Sequence, residues 1–425
     1  MTLSGWIPLL LAIPVLLLGE TLTRRVGWLG RFHIPSPVVG GLLVSFLLLA
    51  AAVTGVGRAD FAAKVDTPWW TWLVTVEPRW RESPAVSATL PLMVAFFTCI
   101  GLNATWDVVR RGSGQVFAFL GLGLGLAILQ NAVGVGMAHL LDVDPLLGLV
   151  CGSVTMTGGH GTALGFAPVL EREGLQGAPV LGAAAATLGL VAGGLIGGPV
   201  GGRLIRRFGL RNQADRAVHL EMGSATESGI VNDLRALWSA RRVALAHLAV
   251  VLVCVKAGAW ASYFMELTGL KIPPHVGGMV LGVLVRNVLE FGGRRWIRSE
   301  TVDLLASLFF AFFLTAVMMS LNLRELAHAA LPMLAILAVQ VVLMAAFATW
   351  ITFRLMGRDY DAAVMAAGHC GFGLGATPNA LANMKALADR MGPAPRAFLI
   401  VPLVGAVMID FGNVLNITLF LNLLR

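Results

Sequence analysis

Two glycine-broken segments hold the residues of this chain best suited to chemistry. The first reads Cys151-Gly-Ser-Val-Thr-Met-Thr-Gly-Gly-His-Gly-Thr162. The second reads Gly368-His-Cys-Gly-Phe-Gly-Leu-Gly-Ala-Thr-Pro-Asn379. A broken helix leaves carbonyls unpaired on one side and N–H groups unpaired on the other. Freed carbonyls beside the hydroxyls of Ser153, Thr155 and Thr157 and the carboxamides of Asn379 and Asn383 make an oxygen-rich set that suits sodium. Freed N–H groups, with the positive end of the helix dipole, suit an anion, and a carboxylate fits. Thr377-Pro378 reads as a helix start, with Thr capping and Pro in the first helical position. Thr162 reads as the cap of the matching helix in the first segment. His160 beside the first break reads either as a donor to a substrate carboxylate or as a tip-holding residue bonded to a carbonyl. Asp410, in Val-Met-Ile-Asp-Phe-Gly-Asn413, lies inside an apolar run, where an ionisable residue marks a functional site by default. It reads as a cation ligand together with Asn413, or as a buried carboxylate bonded to a neighbouring hairpin.

The elements that must hold these groups are set by composition. Of 425 residues 57% are hydrophobic and 13% charged, and mean hydropathy is +0.80. Soluble domains are about 25% charged, so a soluble surface and a disordered chain are both excluded. The net charge of +8 does not read as a nucleic-acid footprint, because the basic residues punctuate apolar runs. Cys99, Cys151, Cys254 and Cys370 lie in apolar stretches without zinc-ligand spacing. No nucleotide loop, nucleophile elbow or HExxH motif is present, so the chain does not read as an enzyme and needs no cofactor.

Ten apolar stretches predict spans near 3–23, 36–57, 86–106, 115–141, 177–201, 243–265, 274–290, 303–321, 330–353 and 397–424, with the two glycine-broken segments between them. The first stretch has no basic residues before it, which reads as a retained span starting outside. With that orientation most of the 31 Lys and Arg fall on inner loops. Both termini are then external and the central loop, 203–242, is internal, with an amphipathic helix around Ile230–Trp238. Lipid-facing backbone cannot be irregular, so each glycine-rich segment predicts a re-entrant hairpin. From Asp359 to Gly373 is about 14 residues, or roughly 20 Å of helix, which puts the break near the bilayer midplane.

The halves echo each other. Ile34-Pro35-Ser36-Pro37-Val38-Val39-Gly40-Gly41 corresponds to Ile272-Pro273-Pro274-His275-Val276-Gly277-Gly278, and Gly101-Leu102-Asn103 to Ser320-Leu321-Asn322. Asp144, Gly158 and Thr162 correspond to Asp359, Gly373 and Thr377 at one constant offset. Five spans per half force the second copy to enter from the opposite side, the inverted repeat of alternating-access transporters. The expected fold is an all-α polytopic membrane protein of about ten helices. Residues 1–202 form the first repeat, with a hairpin near 146–170; residues 243–425 form the second, with a hairpin near 362–390. Lys256 inside an apolar run calls for an interior partner, and Glu20, Arg286 and Asn287 near span ends read as structural.

At the two glycine breaks, in Thr157–Thr162 and Gly368–Pro378, and at Val401-Pro402-Leu403-Val404-Gly405 with Asp410, the chain resembles the bacterial sodium/glutamate symporter family over nearly its whole length. The resemblance implies sodium-coupled uptake of L-glutamate through the bacterial inner membrane, by an elevator-like movement of the hairpin domain in a homodimer. It maps the family's glycine-rich motifs onto Gly158, Gly159, Gly161 and Gly371–Gly375. The expected substrate contacts are therefore Gly158, Gly159, His160, Gly161, Thr162, Gly373, Gly375, Thr377 and Asn379. The sodium contacts expected from the residues themselves are Ser153, Thr155, Thr157, Asn383, Asp410 and Asn413. A sodium or proton antiporter and a symporter of another dicarboxylate are the alternatives, since one methylene changes pocket affinity by only about 1–3 kcal/mol.

Overall fold

The computed structural model describes residues 2–27, 29, 34–55, 60–62, 64–78, 86–105, 114–210, 230–267, 274–294, 296–321 and 323–424. Trp80, Ile272-Pro273, Asn322 and positions 211–229 of the central loop lie outside them. The described residues are almost all helical; the strands are two residues each, Thr2–Leu3 paired in parallel with Asp60–Phe61. In chain order the main helices are α1 (Ala12–Arg25), α2 (Ser36–Val53), α3 (Leu90–Asn103), α4 (Gly114–Leu140), α5 (Pro145–Leu149), α6 (Gly159–Arg172), α7 (Ala178–Arg207) and α8 (Ile230–Ser239). They continue as α9 (Arg241–Leu267), α10 (Pro274–Phe291), α11 (Ser299–Met319), α12 (Leu323–Phe347), α13 (Tyr360–Phe372), α14 (Thr377–Met391), α15 (Pro395–Leu403) and α16 (Ile409–Leu423).

Among the described residues six helices are long and apolar enough to cross a membrane: Ser36–Val53, Gly114–Leu140, Ala178–Arg207, Arg241–Leu267, Ser299–Met319 and Ala329–Leu355. The other expected spans are shorter or interrupted. Stretch 3–23 is divided at Leu11 between Ile7–Leu10 and α1. Helix α3 has 14 residues. Helix α10 has 18 residues and carries the buried Arg286. Stretch 397–424 is split by a π-helical turn at Val404–Met408, next to Pro402, whose missing N–H disturbs the ladder.

The chain divides into two units that each draw on both halves of the sequence. The first comprises 1–27, 35–110 and 227–324. Here α2 packs on α1 and α11, while α10 packs on α9 and α3. Paired glycines set both contacts. A methyl at Gly40 would strike the Val15 carbonyl of α1, and one at Gly41 would strike Met318 of α11. Correspondingly, a methyl at Gly277 would strike Gly258 of α9, and one at Gly278 would strike Thr98 of α3. Such close backbone approach is the usual way membrane helices gain packing where lipid supplies no hydrophobic drive.

Charged groups in this unit are tied to backbone. Lys256 Nζ donates to the carbonyls of Trp72 (2.7 Å) and Thr75 (2.8 Å) and lies 3.8 Å from the Trp72 ring centroid. Lys256 thus finds its partners at a partly exposed place rather than in the interior. Arg286 donates to Glu290 (2.7 Å) and to the Ile297 carbonyl (3.0 Å), and Asn287 to the Ala104 carbonyl (2.9 Å). Glu20 accepts from the Ile230 N–H (2.6 Å), which fixes the start of α8. The indoles of Trp6, Trp69 and Trp70 cluster with centroids 5.3–6.5 Å apart.

The second unit comprises 28–34, 111–226 and 325–425 and holds both glycine breaks. Helix α7 packs on α6, α13 and α14, and α4 on α5 and α16. The two aspartates aligned by sequence do the same work. Asp144 accepts from the Leu146 N–H and Asp359 from the Ala362 N–H, each at 2.8 Å, so each caps the helix leading to a break. A non-glycine residue with positive φ precedes each cap: Asp142 at 54° and Arg358 at 56°. At the second cap Arg396 also holds both Asp359 oxygens, at 2.6 and 2.7 Å.

The packing predicts a contrast between two glycines. Gly277→Ala drives a methyl into the Gly258 carbonyl and lowers thermal stability by about 1–3 kcal/mol, the usual range for overpacking. Gly136→Ala, where a methyl meets nothing within 4 Å, leaves it unchanged or raises it. Thermal unfolding of the purified protein in detergent measures both; equal midpoints for the two variants would contradict the packing.

Candidate functional site

Both breaks are buried and touch each other. In the first, α5 runs into a π-helical turn, Val150–Val154, in which Gly152 leaves helical geometry (φ −87°, ψ −141°). The chain then turns through Thr155–Gly158 and re-enters a helix at Gly159, whose φ is +62°. In the second, α13 ends at Phe372, and α14 starts after Ala376, which is extended (φ −164°, ψ 155°). A Cβ on Gly159 would lie 2.7 Å from the Gly375 carbonyl oxygen, so the two tips meet at glycines because nothing larger fits. The positive φ makes the same demand of residue 159.

Two of the expected caps are corrected. Thr162 does not cap α6: that helix starts three residues earlier, with Gly158 at its N-cap, and Thr162 sits buried in its first turn. The left-handed glycine at 159 starts the helix before Thr162 is reached. Thr377 is the first helical residue of α14 rather than its cap; Ala376 occupies the cap position and no side chain closes it. Pro378 is thus second, without an N–H to offer, and the Asn379 N–H goes to the Ala376 carbonyl (3.1 Å). Among the described residues neither the Thr377 N–H nor its hydroxyl has a protein partner.

His160 meets neither a carbonyl nor open space. Its Nε2 pairs with the Thr187 hydroxyl of α7 at 2.9 Å and the side chain is buried. His369 pairs through Nδ1 with the Thr352 hydroxyl (2.9 Å) and stacks on Phe372. Asn379 donates to the Leu190 carbonyl (2.6 Å), and Asn383 to the carbonyls of Gly193 (2.9 Å) and Ala367 (3.4 Å). These two carboxamides lash α14 to α7 and α13. Thr155 turns its hydroxyl back to the Val150 carbonyl (2.7 Å).

The residue that joins the tips is Gln130 on α4. Its Oε1 accepts from the Thr157 hydroxyl of the first break, and its Nε2 donates to the Gly373 carbonyl of the second, both at 2.7 Å. Its own carbonyl accepts from Gln340 of α12, also at 2.7 Å. One carboxamide therefore supplies the missing donor to one break and the missing acceptor to the other. The neighbouring Asn131 accepts the Ser153 N–H at 2.7 Å. Ser153 is met from the other side by α16: Asn413 donates to its carbonyl (3.0 Å) and Asn416 to its hydroxyl (3.3 Å). Asp410 lies one turn before Asn413 on α16, and no described residue hydrogen-bonds its side chain. Ser153 and Asn413 of the expected sodium set are thus brought together, with Asp410 on the same helix, while Thr155, Thr157 and Asn383 are engaged with other protein groups.

Known proteins resemble this chain closely. Residues 1–75 and 83–393 match a family model described as sodium/glutamate symporter. The sodium/glutamate symporter of Escherichia coli (strain K12) is 40% identical over 418 residues, covering 98% of this chain and 96% of that protein. The sodium/glutamate symporter of Haemophilus influenzae is 39% identical over 413 residues, covering 97% and 96%. No solved structure matches the chain significantly. These relatives are named as transporters, not enzymes, and with several long apolar helices the chain is a multi-pass membrane protein.

The Gln130 bridge makes a prediction that needs no assay of activity. Gln130→Leu leaves a buried hydroxyl and a buried carbonyl without partners, each costing about 1–3 kcal/mol. Thr157→Val removes one of those groups, so the double variant loses less stability than the two single losses added together. Thermal melts of the four proteins in detergent complete the cycle; strict additivity would contradict the bridge.

Proposed function

Because the chain belongs to the sodium/glutamate symporter family, we propose that it takes up L-glutamate by coupling it to sodium entry, with the substrate bound where the two broken helices meet. The observation that carries this reading is the contact of Gly159 with the Gly375 carbonyl, which sets the N-terminus of α6 beside the break that precedes α14. Helix N-termini meeting in this way attract an anion through unpaired N–H groups and the helix dipole. A substrate carboxylate would be held around Gly158, Gly159, Gly161, Gly373, Gly375 and Thr377, whose hydroxyl and N–H are uncommitted among the described residues. His160, Thr162 and Asn379 shape this place from the side. Sodium would be held on the oxygen side, around Ser153, Asn413 and Asp410, with Thr155, Thr157 and Asn383 as further oxygens nearby.

In this reading the two halves are inverted five-helix repeats with re-entrant hairpins, and the matched capping aspartates and glycine pairs support it. Transport proceeds by alternating access. The unit holding both breaks carries the site through the bilayer as a body, in an elevator-like movement. Confinement of the whole site to one unit supports that mechanism. The protein works as a homodimer in the bacterial inner membrane, with both termini periplasmic and the central loop cytoplasmic.

The experiment is uptake of labelled L-glutamate into proteoliposomes. An inward sodium gradient drives accumulation, and potassium or proton gradients of the same size do not. Excess unlabelled aspartate or a longer dicarboxylate reports the substrate preference. Sodium flux without glutamate would instead identify an antiporter. Asp410→Asn keeps the protein folded and lowers sodium-driven uptake by about tenfold or more, the scale of losing one charged ligand; unchanged uptake in this variant would remove Asp410 from the coupling site.

A further inference from the structure

Three buried carboxamides converge on one residue at the first break. Asn131 Oδ1 accepts the Ser153 N–H (2.7 Å), Asn413 Nδ2 donates to the Ser153 carbonyl (3.0 Å), and Asn416 Nδ2 donates to the Ser153 hydroxyl (3.3 Å). All four residues are at least nine-tenths buried. Yet the arrangement is half satisfied. Asn413 Oδ1 and Asn416 Oδ1, and on the donor side Asn131 Nδ2, have no protein partner among the described residues. Buried amide oxygens without partners are expensive, and two of them on one helix, both beside the same serine, point to a ligand.

A carboxamide can turn end for end about its last torsion without changing the space it fills. If Asn413 and Asn416 both turn, their oxygens face the carbonyl and hydroxyl of Ser153. The Asn416 oxygen then accepts the Ser153 hydroxyl proton, while the Asn413 oxygen meets the Ser153 carbonyl with no proton between them, an acceptor pair that a cation relieves. Hard cations take such oxygen sets, and a carbonyl released by a helix break is a typical member. Here the Ser153 carbonyl also accepts the Gly158 N–H (2.9 Å), so the lone pair that Asn413 gives up on turning is the one open to an ion. Asp410 is three residues before Asn413 and six before Asn416, on the same side of α16.

We propose that Asn416, with Asn413 and Ser153, forms the binding site of the coupling sodium ion, filled by rotation of the two carboxamides. This rests on the sodium-coupled reading above and sharpens it. Asn416 enters because two amides, not one, face Ser153. The rotation gives empty and filled states that differ without any helix moving.

The test uses the full-length protein and compares Asn416→Ala with Asn416→Asp. Both lose the Nδ2–H donor that bonds Ser153 in the empty state; only Asp keeps an oxygen for the ion. Asn416→Ala raises the sodium concentration for half-maximal uptake by about tenfold, while the glutamate KM at saturating sodium stays within a factor of about two. Asn416→Asp recovers most of the sodium response. A purely structural amide predicts that Asp and Ala fail alike, and that result, or an unchanged sodium response in Asn416→Ala, overturns the proposal. Sodium-dependent thermal stabilisation, read in sodium against potassium chloride without glutamate, covers any variant too weak to transport. Ser153→Ala loses most of that stabilisation and Ser153→Thr keeps it; equal stabilisation in both also overturns the site. Wild-type uptake that ignores sodium would instead remove the symport reading itself, so the two failures are separable.

Discussion

A peptide group inside a bilayer has no water to turn to. Every helix break at membrane depth must therefore be repaid by protein groups, and this constraint organises the half of the molecule that holds the breaks. Gln130 is the clearest answer to it. It is carried on α4, a helix long and apolar enough to span, and it gives an acceptor to one break and a donor to the other. Gln340 in turn secures the Gln130 carbonyl. Asn379 and Asn383 perform the same service for α7 and α13 from the start of α14.

The remaining polar groups divide by sign. On the helix-start side lie N–H groups, the Thr377 hydroxyl and glycines packed too closely for side chains. On the helix-end side lie the Ser153 carbonyl and the carboxamides of α16. In the proposed reading an anion is drawn to the helix starts and a cation to the helix-end side of the first break. That is the arrangement a coupled carrier needs, because each ligand lowers the electrostatic cost of admitting the other.

Much of this was legible in the sequence. The glycine-rich strings marked the breaks to within a few residues, and Asp144 and Asp359, matched by offset, both proved to be helix caps. Local signals succeeded because capping and glycine breaks are local physics. The exceptions are equally instructive. Thr162 and Thr377 carry the right chemistry for caps, but a left-handed glycine at 159 and an extended residue at 376 start those helices first. Gln130, Gln340 and Asn416 were missed because their partners lie hundreds of residues away. A polar residue in an apolar span signals that it has a partner, and only the fold says which one. Lys256 shows the same limit: its need for a partner was readable, whereas the Trp72 and Thr75 carbonyls that meet it were not.

The central claim is that both ligands bind at the two breaks and nowhere else in this unit. Amide hydrogen exchange on the purified protein, compared in potassium, in sodium, and in sodium with L-glutamate, tests it most directly. The account predicts added protection concentrated in residues 150–162 and 372–380 and in α16, with a partial effect from sodium alone and the full effect only with both ligands. Protection by sodium and glutamate that bypasses these segments, or none at all in a preparation that transports, would contradict it.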